Sequence, residues 1–205
     1  MNFEKNKYIV VKEVISKDMS SFLFNYFHIK RQVAKTCFEE HYISPFETIM
    51  GSFSDTQLKD TYSCYADIAF ETLLLKLIPI MEEKTKLKLI PSYAYARLYK
   101  KGDELKRHMD RFSCEISTTL NLGGDKWPIY VDPTGGKGEK GIKVVLNPGD
   151  MLIYKGCELE HWREKFEGEE CGQVFLHYNN VKTKGSEDNI YDTRPHLGLP
   201  SWFKK

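Results

Sequence analysis

The hydrophobic period of the chain changes at Ser92. Before that point apolar residues recur at helical spacing, and from there to Tyr178 they alternate with period two. Six short runs carry the alternation: 92–99, 115–122, 128–131, 142–146, 151–154 and 173–178. Turn residues separate them, at Lys101-Gly102-Asp103, Gly123-Gly124-Asp125, Pro133-Thr134-Gly135-Gly136 and Asn147-Pro148-Gly149-Asp150. Strands at this spacing with no helix between them predict an antiparallel sandwich or barrel. The expected fold is mainly β with N-terminal helices (α+β), a jelly roll with the helices backing one sheet.

The first third supplies those helices. After a short strand at 8–11, Ser16 or Asp18 can cap a helix that places Phe22, Leu23, Tyr26 and Phe27 on one face. A second helix begins near Ala66-Asp67 and carries Phe70, Leu73, Leu74, Leu77, Ile80 and Met81, with Pro79 expected to kink its last turns. The segment 37–62 mixes a possible strand with loop residues. One domain is expected over 1–205: a helical support layer (1–90), a jelly-roll core (91–180) and a C-terminal packing segment (181–205). The stretch 191–203 is too apolar for a free tail and should pack on the barrel.

Composition narrows the function classes. A 41% hydrophobic fraction with 12 Tyr, 12 Phe and 3 Trp in 205 residues supports a substantial core and excludes overall disorder. A net charge of +1 gives no broad field, which argues against a charge-driven nucleic-acid binder. No apolar run approaches the roughly 18 to 20 residues that span a bilayer, and the polar start Met1-Asn2-Phe3-Glu4-Lys5 lacks a secretory pattern, so no membrane association and a cytoplasmic location are expected. The five cysteines (Cys37, Cys64, Cys114, Cys157, Cys171) are odd in number and show no CxxC pair, so buried thiols are expected. Gly135-Gly136-Lys137-Gly138 lacks the GxxxxGK[ST] pattern and reads as a hairpin loop.

Three features can carry chemistry: His108-Met109-Asp110, His161 and Arg163. In an extended chain alternate side chains share a face, so His108 and Asp110 can point together into a barrel and chelate one metal. An HxD arises often by chance, and a His beside an Asp is commonly a surface hydrogen-bonded pair. Here, however, His161 follows the Pro148-Gly149-Asp150 turn and the run 151–154, which lets a folded-back sheet set it opposite the pair. Two imidazoles and one carboxylate on one face of an octahedral metal leave three positions open, the arrangement of non-haem Fe(II) oxygenases. Lys100, Lys101, Lys106, Arg107 and Arg111 surround the HxD and read as a solvated edge; a basic rim that attracts an acidic or nucleotide ligand is the alternative. Trp127, Tyr130, Tyr154 and Trp162 read mainly as packing residues.

On these residues the segment 93–178 resembles the catalytic core of the Fe(II)/2-oxoglutarate-dependent dioxygenases. Tyr99, nine residues before His108, is similar to the prolyl 4-hydroxylase branch, as are the Pro-Gly-Asp turn and the apolar strand preceding the distal histidine. The resemblance implies a double-stranded β-helix, Fe(II) held by His108, Asp110 and His161, and 2-oxoglutarate and O2 as cosubstrates. It also implies oxidative decarboxylation coupled to hydroxylation of an unactivated C–H bond, with a prolyl residue in a peptide as the nearest family substrate. The family's Lys or Arg for the distal carboxylate falls at Cys171 here. Arg163, on the face of His161 if the chain is extended there, takes its place, with Tyr99, Gln173 and His177 adding hydrogen bonds.

Other readings stay open at this point. A cupin-type metal-binding jelly roll would use the same triad without 2-oxoglutarate, and a degenerate scaffold would use the fold for protein binding. A nucleic-acid demethylase of the same superfamily would carry a second Arg soon after the distal His, whereas here none follows Arg163 until Arg194. The substrate class, peptide, protein or small molecule, is left open by the sequence.

Overall fold

The computed structural model describes residues 2–44, 46–55, 57–135 and 138–205. After a one-turn helix α1 (Phe3–Asn6) come β1 (Tyr8–Val11), α2 (Lys17–Glu39), β2 (Ser52–Ser54), β3 (Lys59–Tyr65) and α3 (Ile68–Thr85). Strands follow: β4 (Leu89–Lys100), β5 (Leu105–His108), β6 (Ile116–Gly124), β7 (Ile129–Asp132), β8 (Ile142–Val144), β9 (Met151–Lys155), β10 (Glu160–Arg163) and β11 (Glu170–Asn180). They form two antiparallel sheets, a seven-stranded one in the order β1-β9-β6-β11-β4-β3-β2 and a four-stranded one in the order β5-β10-β7-β8. This is the expected helix-backed jelly roll.

The two long helices start where side chains can satisfy their free N–H groups. Ser16 accepts from the Met19 amide, and Asp67 accepts from the amides of Ala69 and Phe70. Helix α3 continues through Pro79 to Thr85, where Lys86 takes a left-handed conformation and closes it.

Period two assigns each strand of the large sheet two different faces. Ala94, Ala96 and Leu98 of β4, Ile116, Leu120 and Leu122 of β6, Met151 and Ile153 of β9, and Val174, Leu176 and Tyr178 of β11 form one face. Helices α2 and α3 cover it with Leu23, Phe27, Phe70, Leu74 and Leu77, and Phe27 meets Phe70 edge-on with centroids 5.2 Å apart. Each large side chain buried there is worth roughly 1.5–3 kcal/mol of transfer energy. The opposite face looks into the barrel and is polar over much of its length: Arg97, Ser117, Thr119, Asn121, Gln173 and His177, all buried. Polar groups on an inward face must be paired or must serve a ligand.

The structure refines several sequence readings. Residues 1–90 are more than a helical layer, because β1, β2 and β3 lie on the two flanks of the large sheet. Strands β5 and β10, too short to show a period, are what bring the metal-ligand candidates together. At the C-terminus Asp192 and Arg194 are buried, while Trp202 and Phe203 stay about half exposed. Gly136 and Lys137 of the expected hairpin loop lie outside the described residues. No helix among the described residues is long and apolar enough to cross a membrane.

Candidate metal centre

Strand pairing builds the site. In the β5–β10 ladder His161 stands directly opposite His108, and their ring centroids are 4.3 Å apart. Asp110 follows β5 and is drawn in by its amide, which donates to the Gly156 carbonyl over 2.9 Å. Its Oδ1 then lies 3.8 Å from His108 Nε2 and 3.5 Å from His161 Nε2. One ligand atom from each of the three residues falls within 4.8 Å of the others.

The backbone fixes which nitrogens face the centre. His108 Nδ1 donates to the Lys106 carbonyl over 2.7 Å and His161 Nδ1 donates to the Leu159 carbonyl over 3.1 Å, so Nε2 is the nitrogen each ring turns to the centre. Burial, together with the neighbouring His161, lowers the His108 pKa and favours the neutral ligand form. Burial alone would raise the Asp110 pKa, but the hydrogen bond and charge of His161, with His177 and Ser117, hold it down to about 2. Two imidazoles and an ionised carboxylate therefore meet at one point.

The triad opens on a cavity of about 330 Å³. Tyr154, Trp162, Arg163, His177, Arg97 and Arg111 are among the residues that line it. Tyr154 and Trp162 thus belong to the site, whereas Trp127 and Tyr130 do not reach the cavity wall. Arg163 is 1% exposed. It donates to the Trp127 carbonyl and, over 3.1 Å, to Thr119 Oγ1, while its Nε has no partner. Among the described residues no carboxylate pairs with it, and burial pushes its pKa down. Arg97 contrasts with it: bonds of 3.0 and 2.6 Å tie it to the buried carboxylate of Asp55.

Tyr99 and Gln173 do not line the cavity. Tyr99 is fully buried against Trp127, with ring centroids 4.8 Å apart, and its hydroxyl has no hydrogen-bond partner among the described residues. Gln173 accepts from Thr119 over 2.9 Å and donates to Cys171 Sγ over 3.1 Å, so it braces the residue that holds Arg163. Cys171 is close enough for the Arg163 charge to oppose the upward push of burial on its thiol. The guanidinium therefore reaches from β10 to the neighbourhood of the Cys171 position. His177 does line the cavity, yet its Nδ1 faces Ser117, behind Asp110.

A second set, Asp110, Cys114 and His177, also brings its ligand atoms within 4.8 Å. Burial pushes the Cys114 thiol well up, away from the thiolate that a metal requires, and the Ser117 hydroxyl already occupies Asp110 Oδ2. Most of the basic run around the HxD is neutralised: Lys100 pairs with Asp103, Lys101 with Glu169, Arg107 with Asp132 and Glu160, and Arg111 with Asp192. The solvated-edge reading fits these pairs better than a basic rim.

Sequence reasoning missed Arg97, Ser117, Thr119 and Gly156. Period two in β4 and β6 places the first three on the inward face, so their polarity within apolar runs was the available signal. Nothing local marks Gly156.

No family model matches the sequence, and no curated protein matches it. Solved structures do. A Pseudomonas putida prolyl-4-hydroxylase aligns over 87% of this chain and 95% of its own, with a TM-score of 0.57 and 14% identity. HygX from Streptomyces hygroscopicus, solved with nickel, 2-oxoglutarate and hygromycin B bound, aligns over 93% of each chain with a TM-score of 0.59 and 13% identity. AviO1 from Streptomyces viridochromogenes Tue57 aligns over 90% of this chain and 95% of its own, with a TM-score of 0.64 and 13% identity. At these identities the likeness is one of fold, and the chain has the jelly-roll fold of the 2-oxoglutarate-Fe(II) oxygenase structures.

Proposed function

We propose that the chain is an Fe(II)- and 2-oxoglutarate-dependent dioxygenase that hydroxylates an unactivated C–H bond. The observation that carries this reading is Arg163, a buried guanidinium without a carboxylate partner among the described residues, in the cavity onto which the triad opens. An unpaired buried cation costs several kcal/mol unless an anion completes it. A dicarboxylate that chelates a metal at one end would complete it at the other.

His108, Asp110 and His161 would hold Fe(II), and their facial arrangement leaves positions for a chelating oxoacid and O2. Arg163 would take the distal carboxylate through its planar fork. When bound, Fe(II) with 2-oxoglutarate supplies the oxidising chemistry. The protein contributes orientation and the exclusion of bulk water. A cupin-type site or a protein-binding scaffold gives Arg163 no ligand, so neither explains why that cation is buried unpaired.

The substrate would enter beside Met109 and Arg111, which line the cavity and are about half exposed. A second groove of about 340 Å³ shares Gln57, Tyr95 and Arg97 with the cavity and adds the hydroxyls of Ser52, Ser54 and Ser63, so the non-reacting part of the substrate would lie there. Fold alone does not select the substrate. Two of the similar structures are prolyl hydroxylases by name and another holds hygromycin B. Screening therefore covers prolyl peptides and small polar molecules alike.

Thermal unfolding tests the reading. 2-Oxoglutarate should raise the Tm in the presence of Mn(II), far less without it, and far less for Arg163→Ala with it. Equal stabilisation with and without metal contradicts the proposal.

A further inference from the structure

Ser117 Oγ has three polar neighbours: Asp110 Oδ2 at 2.8 Å, the Cys114 carbonyl at 2.8 Å and His177 Nδ1 at 3.0 Å. A serine hydroxyl has one proton to give. The carboxylate and the carbonyl can only accept, so whichever of them takes that proton, His177 Nδ1 must supply a proton to Ser117. If the hydroxyl pointed at Nδ1 instead, two acceptors would face its lone pairs. The charge-assisted bond to Asp110 is the stronger of the remaining choices.

Two consequences follow for the site. Oδ2 of Asp110 is occupied, which turns Oδ1 toward both imidazole Nε2 atoms and makes the carboxylate a one-oxygen ligand. His177 is held with its proton on Nδ1, so its Nε2 carries a lone pair. The ring packs tilted against Tyr93 with centroids 4.5 Å apart, it lines the cavity, and its Nε2 has no hydrogen-bond partner among the described residues.

We infer that His177 is a positioning residue: through Ser117 it fixes Asp110 as a one-oxygen ligand, and its Nε2 is thereby left as an acceptor for an O–H or N–H of a substrate held in the cavity. The inference rests on the triad being the metal site. A substrate without that donor would leave a desolvated acceptor unpaired, which is how such a site rejects analogues.

The tautomer is measurable without metal or substrate. In the full-length, metal-free protein labelled with ¹⁵N-histidine, NMR should show His177 protonated on Nδ1, with the signal assigned by its loss in His177→Gln. In Ser117→Ala the population should move toward the Nε2-protonated form. An Nε2-protonated wild type overturns the inference. Mn(II) binding followed by EPR then tests the positioning. Ser117→Ala and His177→Gln should bind about tenfold or more weakly, the usual range for partners behind the ligands. His177→Asn, whose amide keeps a donor toward Ser117, should stay within about threefold of wild type. Unchanged affinity in Ser117→Ala overturns the positioning role. Failure of wild type to bind Mn(II) contradicts the metal-centre reading instead, and the tautomer result separates the two.

Discussion

Gly156 and Asp110 are bound together: the Asp110 amide donates to the Gly156 carbonyl over 2.9 Å, and a β-carbon on Gly156 would come within 2.5 Å of Asp110 Oδ2. The same β-carbon would lie 2.2 Å from the Cys114 carbonyl oxygen and 2.9 Å from Ser117 Oγ. Even the smallest side chain must therefore displace the carboxylate or its hydrogen-bonded support.

Gly156→Ala should cost about 1–3 kcal/mol of stability through overpacking and weaken Mn(II) binding at least about tenfold, because the carboxylate loses its alignment. Chemical unfolding and EPR titration check the two effects separately. Wild-type metal affinity in this variant would show that Asp110 does not depend on the contact.

Arg163 and Arg194 are both buried, but only Arg194 has a carboxylate, Glu71 Oε1 at 2.7 Å. Breaking that pair with Glu71→Ala should destabilise the fold by about 3–5 kcal/mol, since it strands a buried charge. Arg163→Met should instead leave metal-free stability within about 1 kcal/mol of wild type: removing an unpaired buried cation offsets the loss of its bonds to Thr119 and the Trp127 carbonyl. Denaturant unfolding of both variants makes the comparison. An equally large loss in Arg163→Met would mean that the guanidinium is already satisfied by the protein.

His177 gives the metal-free protein an acid-sensitive window. Burial holds its pKa down to about 4, against 6.5 for the ordinary imidazole. Between those values the unfolded chain binds a proton that the folded chain refuses, so stability falls as the pH drops through the window, by up to about 3 kcal/mol. The lowered His108 pKa acts in the same direction. Asp110, held down to about 2, adds its own loss only at lower pH. His177→Phe should flatten the slope of unfolding free energy between about pH 6.5 and 4. An unchanged slope would place the titration elsewhere.

The fold was legible because period two persists through β4, β6, β9 and β11, where each strand buries two unlike faces. The triad was legible in part. The HxD fits an extended chain, but the opposition of His108 and His161 depends on β5 and β10, four residues each, too short for any period to show. Only a possible strand could be read within 37–62, and β3 was not placed, because its Lys59-Asp60 start reads as loop and its apolar face shows only in Tyr62 and Cys64. The places of Tyr99 and Gln173 could not be read either: both lie on inward faces, but Tyr99 packs on Trp127 and Gln173 bonds to Thr119, contacts that only the fold brings about. Arg97 carried a readable signal, a charge within Tyr-Ala-Tyr-Ala-Arg-Leu, and its Asp55 partner comes from a segment without a clear pattern.

The central claim is that one cavity binds a metal through His108, Asp110 and His161 and an oxoacid through Arg163. Anaerobic addition of Fe(II) and then 2-oxoglutarate to wild type, His161→Ala and Arg163→Ala tests it by the weak visible charge-transfer band of a chelated 2-oxoacid. The band should form in wild type, vanish in His161→Ala, and need at least about tenfold more 2-oxoglutarate in Arg163→Ala, as expected when a charge-assisted bidentate contact is lost. Tight Fe(II) binding with no band at saturating 2-oxoglutarate in wild type would contradict the claim.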